Sequence, residues 1–86
     1  MNTYFVFTPD LSHVANGSFS ECQMLADQLT RGDDFPLLKI ARIRAGEPEA
    51  TIIFDISEDS RKQSGRVRRI NRHKLIQGAK QRPFPQ

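Results

Sequence analysis

The feature that most constrains the fold of this chain is a helix signal near residue 20. The segment SFSE at 18–21 is a capping box, in which the Ser18 side chain accepts from the backbone N–H of Glu21 and Glu21 reaches back to residue 18. Apolar residues then recur at steps of three and four, on one helical stripe formed by Phe19, Cys22, Leu25, Ala26 and Leu29. Gly32 follows, where a left-handed cap is common. The pattern predicts one amphipathic helix over 19–31, which needs an apolar surface to cover.

Two runs of aromatic and β-branched residues predict strands that this helix can cover. Residues 3–8 carry apolar groups on both faces of an extended chain, which predicts an internal strand. Residues 50–56 contain the second run, and the turn formers before them predict a hairpin with residues 37–44. A short helix after Pro36 is the alternative for the first arm of that hairpin. Residues 9–17 are rich in turn formers and predict a loop.

The C-terminal third shows no clean hydrophobic period. A strand around 66–71, followed by a short helix capped by Asn71, is one prediction, and a single basic helix interrupted by Gly65 is the alternative. Residues 79–86 include two prolines and predict a flexible C-terminal tail. The chain of 86 residues allows one domain. We therefore expect a single α+β domain over 1–78, with a small antiparallel sheet of β-α-β-β order plus a basic β or α element, and one helix packed on one face.

Charge is distributed unevenly along the chain. Residues 1–60 hold all ten acidic residues and only four basic ones, for a net charge of −6. Residues 61–86 hold nine basic residues and no acidic one, for a net charge of +9. We call residues 61–86 the basic block. A block of this kind indicates an anionic partner, or else it folds back and neutralises the acidic part of the same chain.

The basic block is the candidate binding site. Six of its nine cations are arginines, whose planar fork of donors binds phosphate in two places. Its one aromatic residue is Phe84, so stacking on bases is thinly supplied, and recognition of a backbone or of structured RNA is favoured. The sequence thus predicts a non-enzymatic module that contacts nucleic acid or a nucleoprotein complex. The contact residues that we expect are Arg61, Lys62, Arg66, Arg68, Arg69, Arg72 and Lys74.

The sequence gives little support to catalysis. His13 lies close to Asp10 and Ser12, but neighbours on a loop do not form a triad, and we expect a solvated histidine. Cys22 falls on the helical stripe and is expected in the core. No metal-ligand spacing and no glycine-rich phosphate loop is present, so we expect no cofactor. A single cysteine fits a reducing, cytoplasmic setting, and no apolar run approaches the roughly 18 residues that span a membrane.

Short length, charges of both signs, a strand-forming MNTY opening and one capped helix from Ser18 occur together in this chain. In this general style it resembles small phage-encoded accessory and inhibitor proteins of the anti-CRISPR kind. The resemblance implies binding to a Cas protein complex and blocking of its nucleic-acid channel, and it assigns no site residues. The alternative is a dimeric adaptor or assembly module whose basic block pairs with an acidic protein surface. In that alternative, residues 37–44 form an exposed edge strand that pairs across a twofold axis.

Overall fold

The computed structural model describes residues 2–32, 35, 37–55 and 68–84. The described part contains five strands and two helices, in the chain order β1 Asn2–Phe7, β2 Val14–Gly17, α1 Phe19–Arg31, β3 Lys39–Arg44, β4 Glu49–Asp55, β5 Arg69–Asn71 and α2 Arg72–Gln81. All strand pairs are antiparallel, and the strand order in the sheet is β2-β1-β3-β4-β5. The predicted α+β class with an antiparallel sheet is confirmed.

Helix α1 has the bounds that the sequence predicts. The Ser18 hydroxyl accepts from the Glu21 backbone N–H at 3.2 Å, which satisfies one of the free donors at the helix start. Cys22 and Ala26 are buried on the predicted stripe. Gly32 caps the other end, and its N–H bonds to the carbonyl of Leu29. The expected left-handed cap is wrong, since the φ of Gly32 is −81°.

The sheet carries a helix on each face, whereas the sequence predicted one helix on one face. Side chains alternate along β1, so that Val6 points to the core under α1 while Phe5 and Phe7 point to the core under α2. This alternation is why β1 is apolar on both sides. We call the two sides of the sheet the α1 face and the α2 face. Leu75 of α2 is fully buried in the core on the α2 face.

Residues 9–17 do not form one loop as the sequence predicted. Val14 to Gly17 form β2, which pairs with β1 along its whole length. Val14 is completely buried, and this packing outweighs the turn-forming composition of the strand. The turn before it is held by local bonds, including one from the Ser12 N–H to the Asp10 carboxylate at 3.0 Å. That bond holds the pKa of Asp10 below its usual value.

The predicted hairpin of residues 37–44 with 50–56 is confirmed by the pairing of β3 with β4, and the alternative helix is wrong. Its turn includes Gly46, whose φ of 84° suits glycine. β3 lies between β1 and β4, so the prediction of an exposed edge strand at 37–44 is wrong. The edges of the described sheet are β2 and β5.

The C-terminal region forms a strand and then a helix. β5 pairs with β4, and Asn71 caps α2 by accepting from the His73 N–H at 2.8 Å. The alternative of a single basic helix is therefore wrong. Residues 79–84, which the sequence assigned to a flexible tail, instead complete α2 and the core. α2 continues to Gln81, and Phe84 is only 7% exposed. In the described part, no helix is long and apolar enough to cross a membrane.

Candidate functional site

The predicted contact residues fall into two groups. Arg61, Lys62 and Arg66 lie outside the described residues. Arg68 immediately precedes β5 and Arg69 begins it, while Arg72 and Lys74 lie in the first turn of α2. All four of these described residues are exposed. We call Arg69, Arg72 and Lys74 the basic corner, since they lie where β5 passes into α2.

Backbone bonds on both sides fix the basic corner to the sheet. Thr51 of β4 lies opposite Arg69, and the Ile52 N–H donates to the Arg68 carbonyl at 2.9 Å. The Arg72 N–H donates to the Pro48 carbonyl at 3.2 Å, which ties the start of α2 to the β3–β4 turn. The corner is therefore placed by paired backbone rather than by a free loop.

The structure places two further arginines in this region, and neither is among the contact residues predicted from the sequence. Arg42 and Arg44 alternate along β3 and point to the α1 face, because Ala41 and Ile43 point to the core under α2. Arg42 lies opposite Thr51, and Thr51 lies opposite Arg69. The three arginines therefore share one face of the sheet. The signal that could have found them is the RIR pattern at 42–44, in which the two arginines are two residues apart in a predicted strand.

These arginines line an open cleft of about 470 Å³, which we call the arginine cleft. Its lining is Arg42, Arg44, Glu47, Pro48, Glu49, Thr51 and Arg69. Among these described lining residues, two carboxylates accompany three guanidinium groups, which leaves an excess of positive charge. Within the described part of the chain, Arg69, Arg72 and Lys74 form no ion pair.

A second, larger depression of about 780 Å³ adjoins the arginine cleft on the α1 face. We call it the apolar groove, and it lies between α1 and β4. Its apolar lining is Tyr4, Phe19, Met24, Ala26, Ile40, Ile53 and Phe54. Met24 is 63% exposed and Phe54 is 49% exposed, so α1 leaves this part of the sheet open. Arg42 lines both depressions and connects them.

Arg42 also carries an unsatisfied donor. Its Nε atom is buried and has no hydrogen-bond partner among the described residues. An unpaired buried donor of a charged group is costly, and such groups are few in folded proteins. The Arg42 side chain therefore has an incomplete set of partners among the described residues, while it lines both depressions.

The two residues considered for catalysis, His13 and Cys22, lie where they contribute to packing. His13 stacks on Phe84 at a ring distance of 5.5 Å and meets the edge of Phe35 at 5.0 Å, so the expectation of a solvated histidine is wrong. Cys22 is buried on the inner side of α1, as expected. Burial raises the pKa of its thiol to about 11, with a smaller contribution from Glu21. Among the described residues, no group of three or more His, Cys, Asp or Glu side chains could hold a metal ion.

Comparison with known proteins gives no relative for this chain. No protein-family model, curated protein sequence or solved structure matches it.

Proposed function

We propose that this chain is a non-enzymatic binding module that contacts nucleic acid, alone or within a nucleoprotein complex, through the basic corner and the arginine cleft. The observation that carries the proposal is the grouping of Arg42, Arg44 and Arg69 on one open face of the sheet, next to Arg72 and Lys74. Arginine donors in this density suit phosphate, which accepts two hydrogen bonds from one guanidinium.

Neutralisation within the chain is the main competing explanation for so many basic residues. In the arginine cleft, Glu47 and Glu49 compensate part of the charge. Arg69 shares the cleft with those two glutamates, but none of the three residues of the basic corner forms an ion pair with a described carboxylate. The described residues from 68 to 84 also include no acidic residue. This supports a positive surface that is directed to solvent.

The position of Lys74 supports the same conclusion. The first turn of a helix is the positive end of its dipole, where acidic side chains are favoured and basic ones are disfavoured. The first turn of α2 holds Arg72 and Lys74 and no acidic residue. Cations at this position lower the stability of the helix, so their presence favours a binding role over a structural one.

The direct test is fluorescence anisotropy with labelled RNA and DNA at low salt. We expect the logarithm of the affinity to fall linearly with the logarithm of the salt concentration, because binding displaces counterions from the nucleic acid. Arg69→Glu and Arg72→Glu should each weaken binding strongly, and Arg69→Gln should weaken it less. Lys80→Glu is the matched control, because it makes the same change of charge in the last turn of α2.

Two results would overturn the proposal. One is an absence of binding to either nucleic acid at about 50 mM salt, where electrostatic binding is strong. The other is an equal loss of affinity in Lys80→Glu and Arg72→Glu, because this would show that net charge matters and position does not. Competition by polyglutamate as strong as by nucleic acid would favour the adaptor alternative, in which the partner is an acidic protein surface.

The inhibitor role that the resemblance implies remains a narrower prediction. It requires the protein to reduce target binding by an assembled Cas ribonucleoprotein complex. Arg72→Glu should remove that effect if the basic corner is the surface used.

A further inference from the structure

We propose that the apolar groove receives unpaired nucleobases, so that the chain binds single-stranded nucleic acid in preference to a duplex. This inference rests on the proposed function and specifies the form of the nucleic acid. It goes beyond the expectation that base stacking is thinly supplied, which concerned the basic block alone. Phe84 is buried and cannot stack on a base, but three aromatic rings from elsewhere in the chain, Tyr4, Phe19 and Phe54, line the groove together with Arg42.

The aromatic rings are exposed enough to accept a ligand. Phe54 is 49% exposed and Phe19 is 41% exposed, and Tyr4 is half-buried. Tyr4 and Phe19 already contact each other, with ring centres 5.3 Å apart and planes at 52°. Stacking of a base on an aromatic ring is favourable and requires no particular sequence. The groove therefore offers stacking surfaces for bases of any type.

A bulge in β4 directs Phe54 into the groove. Ile40 lies opposite Phe54 while Ala41 lies opposite Ile52, so that Ile53 is an extra residue in β4. In a regular strand, Phe54 would share the α2 face with Ile52. The extra residue turns it to the α1 face instead, and Ile53 lines the same groove. The bulge turns a large aromatic side chain towards solvent, which reduces the burial of that side chain. This arrangement fits a binding role.

Arginines lie where the backbone of a strand with stacked bases would pass. Arg42 lies at the junction of the groove and the cleft, with its buried Nε unpaired among the described residues. Arg69 lies two strands away across Thr51, or about 10 Å at the usual strand spacing. Arg44 lies on the same face of β3. A flat apolar surface that leads into a row of guanidinium groups is complementary to a base followed by its phosphates.

The carboxylate that lines the groove does not oppose an anionic ligand strongly. Asp27 is paired with Arg31 of the same helix at 3.0 Å. Among the described residues that line the groove, the remaining charge is that of Arg42. An acidic peptide with apolar side chains would also match this sign, but the three rings and the excess of arginine favour a nucleic acid. Duplexes hide their base faces in the stack, so only an unpaired strand can use the groove.

Tyr4 allows the groove to be observed without a label. The chain has one tyrosine and no tryptophan, so its intrinsic fluorescence comes from the groove. We expect a single strand of about 8 nucleotides to quench Tyr4, and the corresponding duplex to bind with little quenching. Free N-acetyltyrosinamide with the same strand corrects for absorption by the bases.

The variants are Phe54→Ala and Phe54→Leu, with Lys80→Glu as the control for charge. Since Phe54 is half-exposed, its truncation leaves the core intact, and circular dichroism checks the fold. Phe54→Ala should lower affinity for the single strand roughly 5- to 100-fold and leave affinity for the duplex unchanged. Phe54→Leu should show a smaller loss, because it keeps apolar area without the ring.

The outcomes separate this inference from the proposed function. Equal affinity for single strand and duplex, with no effect of Phe54→Ala but a clear effect of Arg72→Glu, overturns the inference and leaves the proposed function standing. An absence of binding to both forms overturns both. Quenching of Tyr4 by an acidic apolar peptide, with none by the single strand, also overturns the inference and assigns the groove to a protein partner.

Discussion

Gly78 lies at a close contact between α2 and β2. A Cβ atom at this position would lie 2.7 Å from Cγ2 of Val14, which is itself fully buried in β2. Replacement by alanine favours the helix by about 1 kcal/mol, but overpacking of a close contact costs about 1–3 kcal/mol. We expect Gly78→Ala to lower the free energy of unfolding, as measured by urea titration.

Gly32 offers a matched control for this prediction. Its φ of −81° suits any residue, and among the described residues a Cβ there would meet the Leu29 carbonyl at 3.7 Å and the Gln28 carbonyl at 3.9 Å. Gly32→Ala should therefore be neutral or stabilise by up to about 1 kcal/mol. Loss of stability in Gly32→Ala but not in Gly78→Ala would contradict the packing of α2 on β2. A Val14→Ala change should reduce the harm of Gly78→Ala, because it removes the methyl groups concerned.

Cys22 should be unreactive in the folded protein. Its thiol is buried, and burial raises its pKa to about 11 from a usual value of 9.0. The unfolded chain therefore ionises first as pH rises. The stabilisation from the protonated thiol is complete below pH 9.0 and is lost between pH 9.0 and about 11. A thiol reagent at pH 8 should modify the protein only as fast as it unfolds, and Cys22→Ser should remove the reaction. Rapid modification of the native protein would contradict the burial.

At the scale of elements, the first turn of α2 carries a conflict between stability and binding. Lys74 is the third residue after the Asn71 cap, where a glutamate can bond back to the cap residue and meets the positive end of the helix dipole. We expect Lys74→Glu to raise the free energy of unfolding by about 0.5–1 kcal/mol and to weaken nucleic-acid binding. Thermal unfolding and fluorescence anisotropy measure the two effects, and the salt slope should fall by at least about 1.

Lys74→Gln separates the effect of losing the positive charge from the effect of gaining a negative one. It removes the positive charge without adding a negative one, so both effects should have the same sign as in Lys74→Glu and a smaller size. A destabilised Lys74→Glu protein would show that Lys74 has a structural contact. Greater stability with unchanged binding would remove Lys74 from the site and leave Arg69 and Arg72 to carry it.

Elements whose signals are local could be predicted from the sequence, and those that depend on distant partners could not. Helix α1 was predicted with its bounds because the cap at Ser18 and the apolar stripe lie within one short segment. β2 was missed because it depends on pairing with β1 and on the burial of Val14, which overrides its turn-forming residues. The bulge at Ile53 was also missed, since the alternation in TIIFD gives no sign of an extra residue.

The candidate site was only partly predicted, because it depends on the topology of the whole molecule. The basic block was visible as a run of charge, and it includes Arg69, Arg72 and Lys74, which the structure places at the corner. Arg42 and Arg44 belong to a segment that is acidic on average, and only the strand order places β3 and β5 on either side of β4. The aromatic rings of the groove come from β1, α1 and β4. A surface composed in this way depends on the complete topology, which composition and periodicity do not specify.

The residues after α2 connect the two faces of the sheet. After α2 leaves one face, Arg82 crosses the edge at β2, where its carbonyl accepts from the Val14 N–H at 2.7 Å and its guanidinium donates to the Leu11 carbonyl at 2.9 Å. Phe84 then enters the core of the other face, beside His13 and Phe35. We expect Phe84→Ala to cost about 3–5 kcal/mol, as for other buried phenylalanines. For a domain of this size that is a large part of the total stability, about 4–13 kcal/mol.

Urea titration and thermal unfolding of Phe84→Ala test this role. Phe84→Leu is the matched variant, which keeps apolar volume but loses the ring contacts with His13 and Phe35, and its loss of stability should be smaller. Because Phe84 is remote in the sequence from β1, α1 and β3, yet packs in their core, the melting of all elements should shift together in both variants. An unchanged melting temperature in Phe84→Ala would show that the chain after α2 does not close the fold.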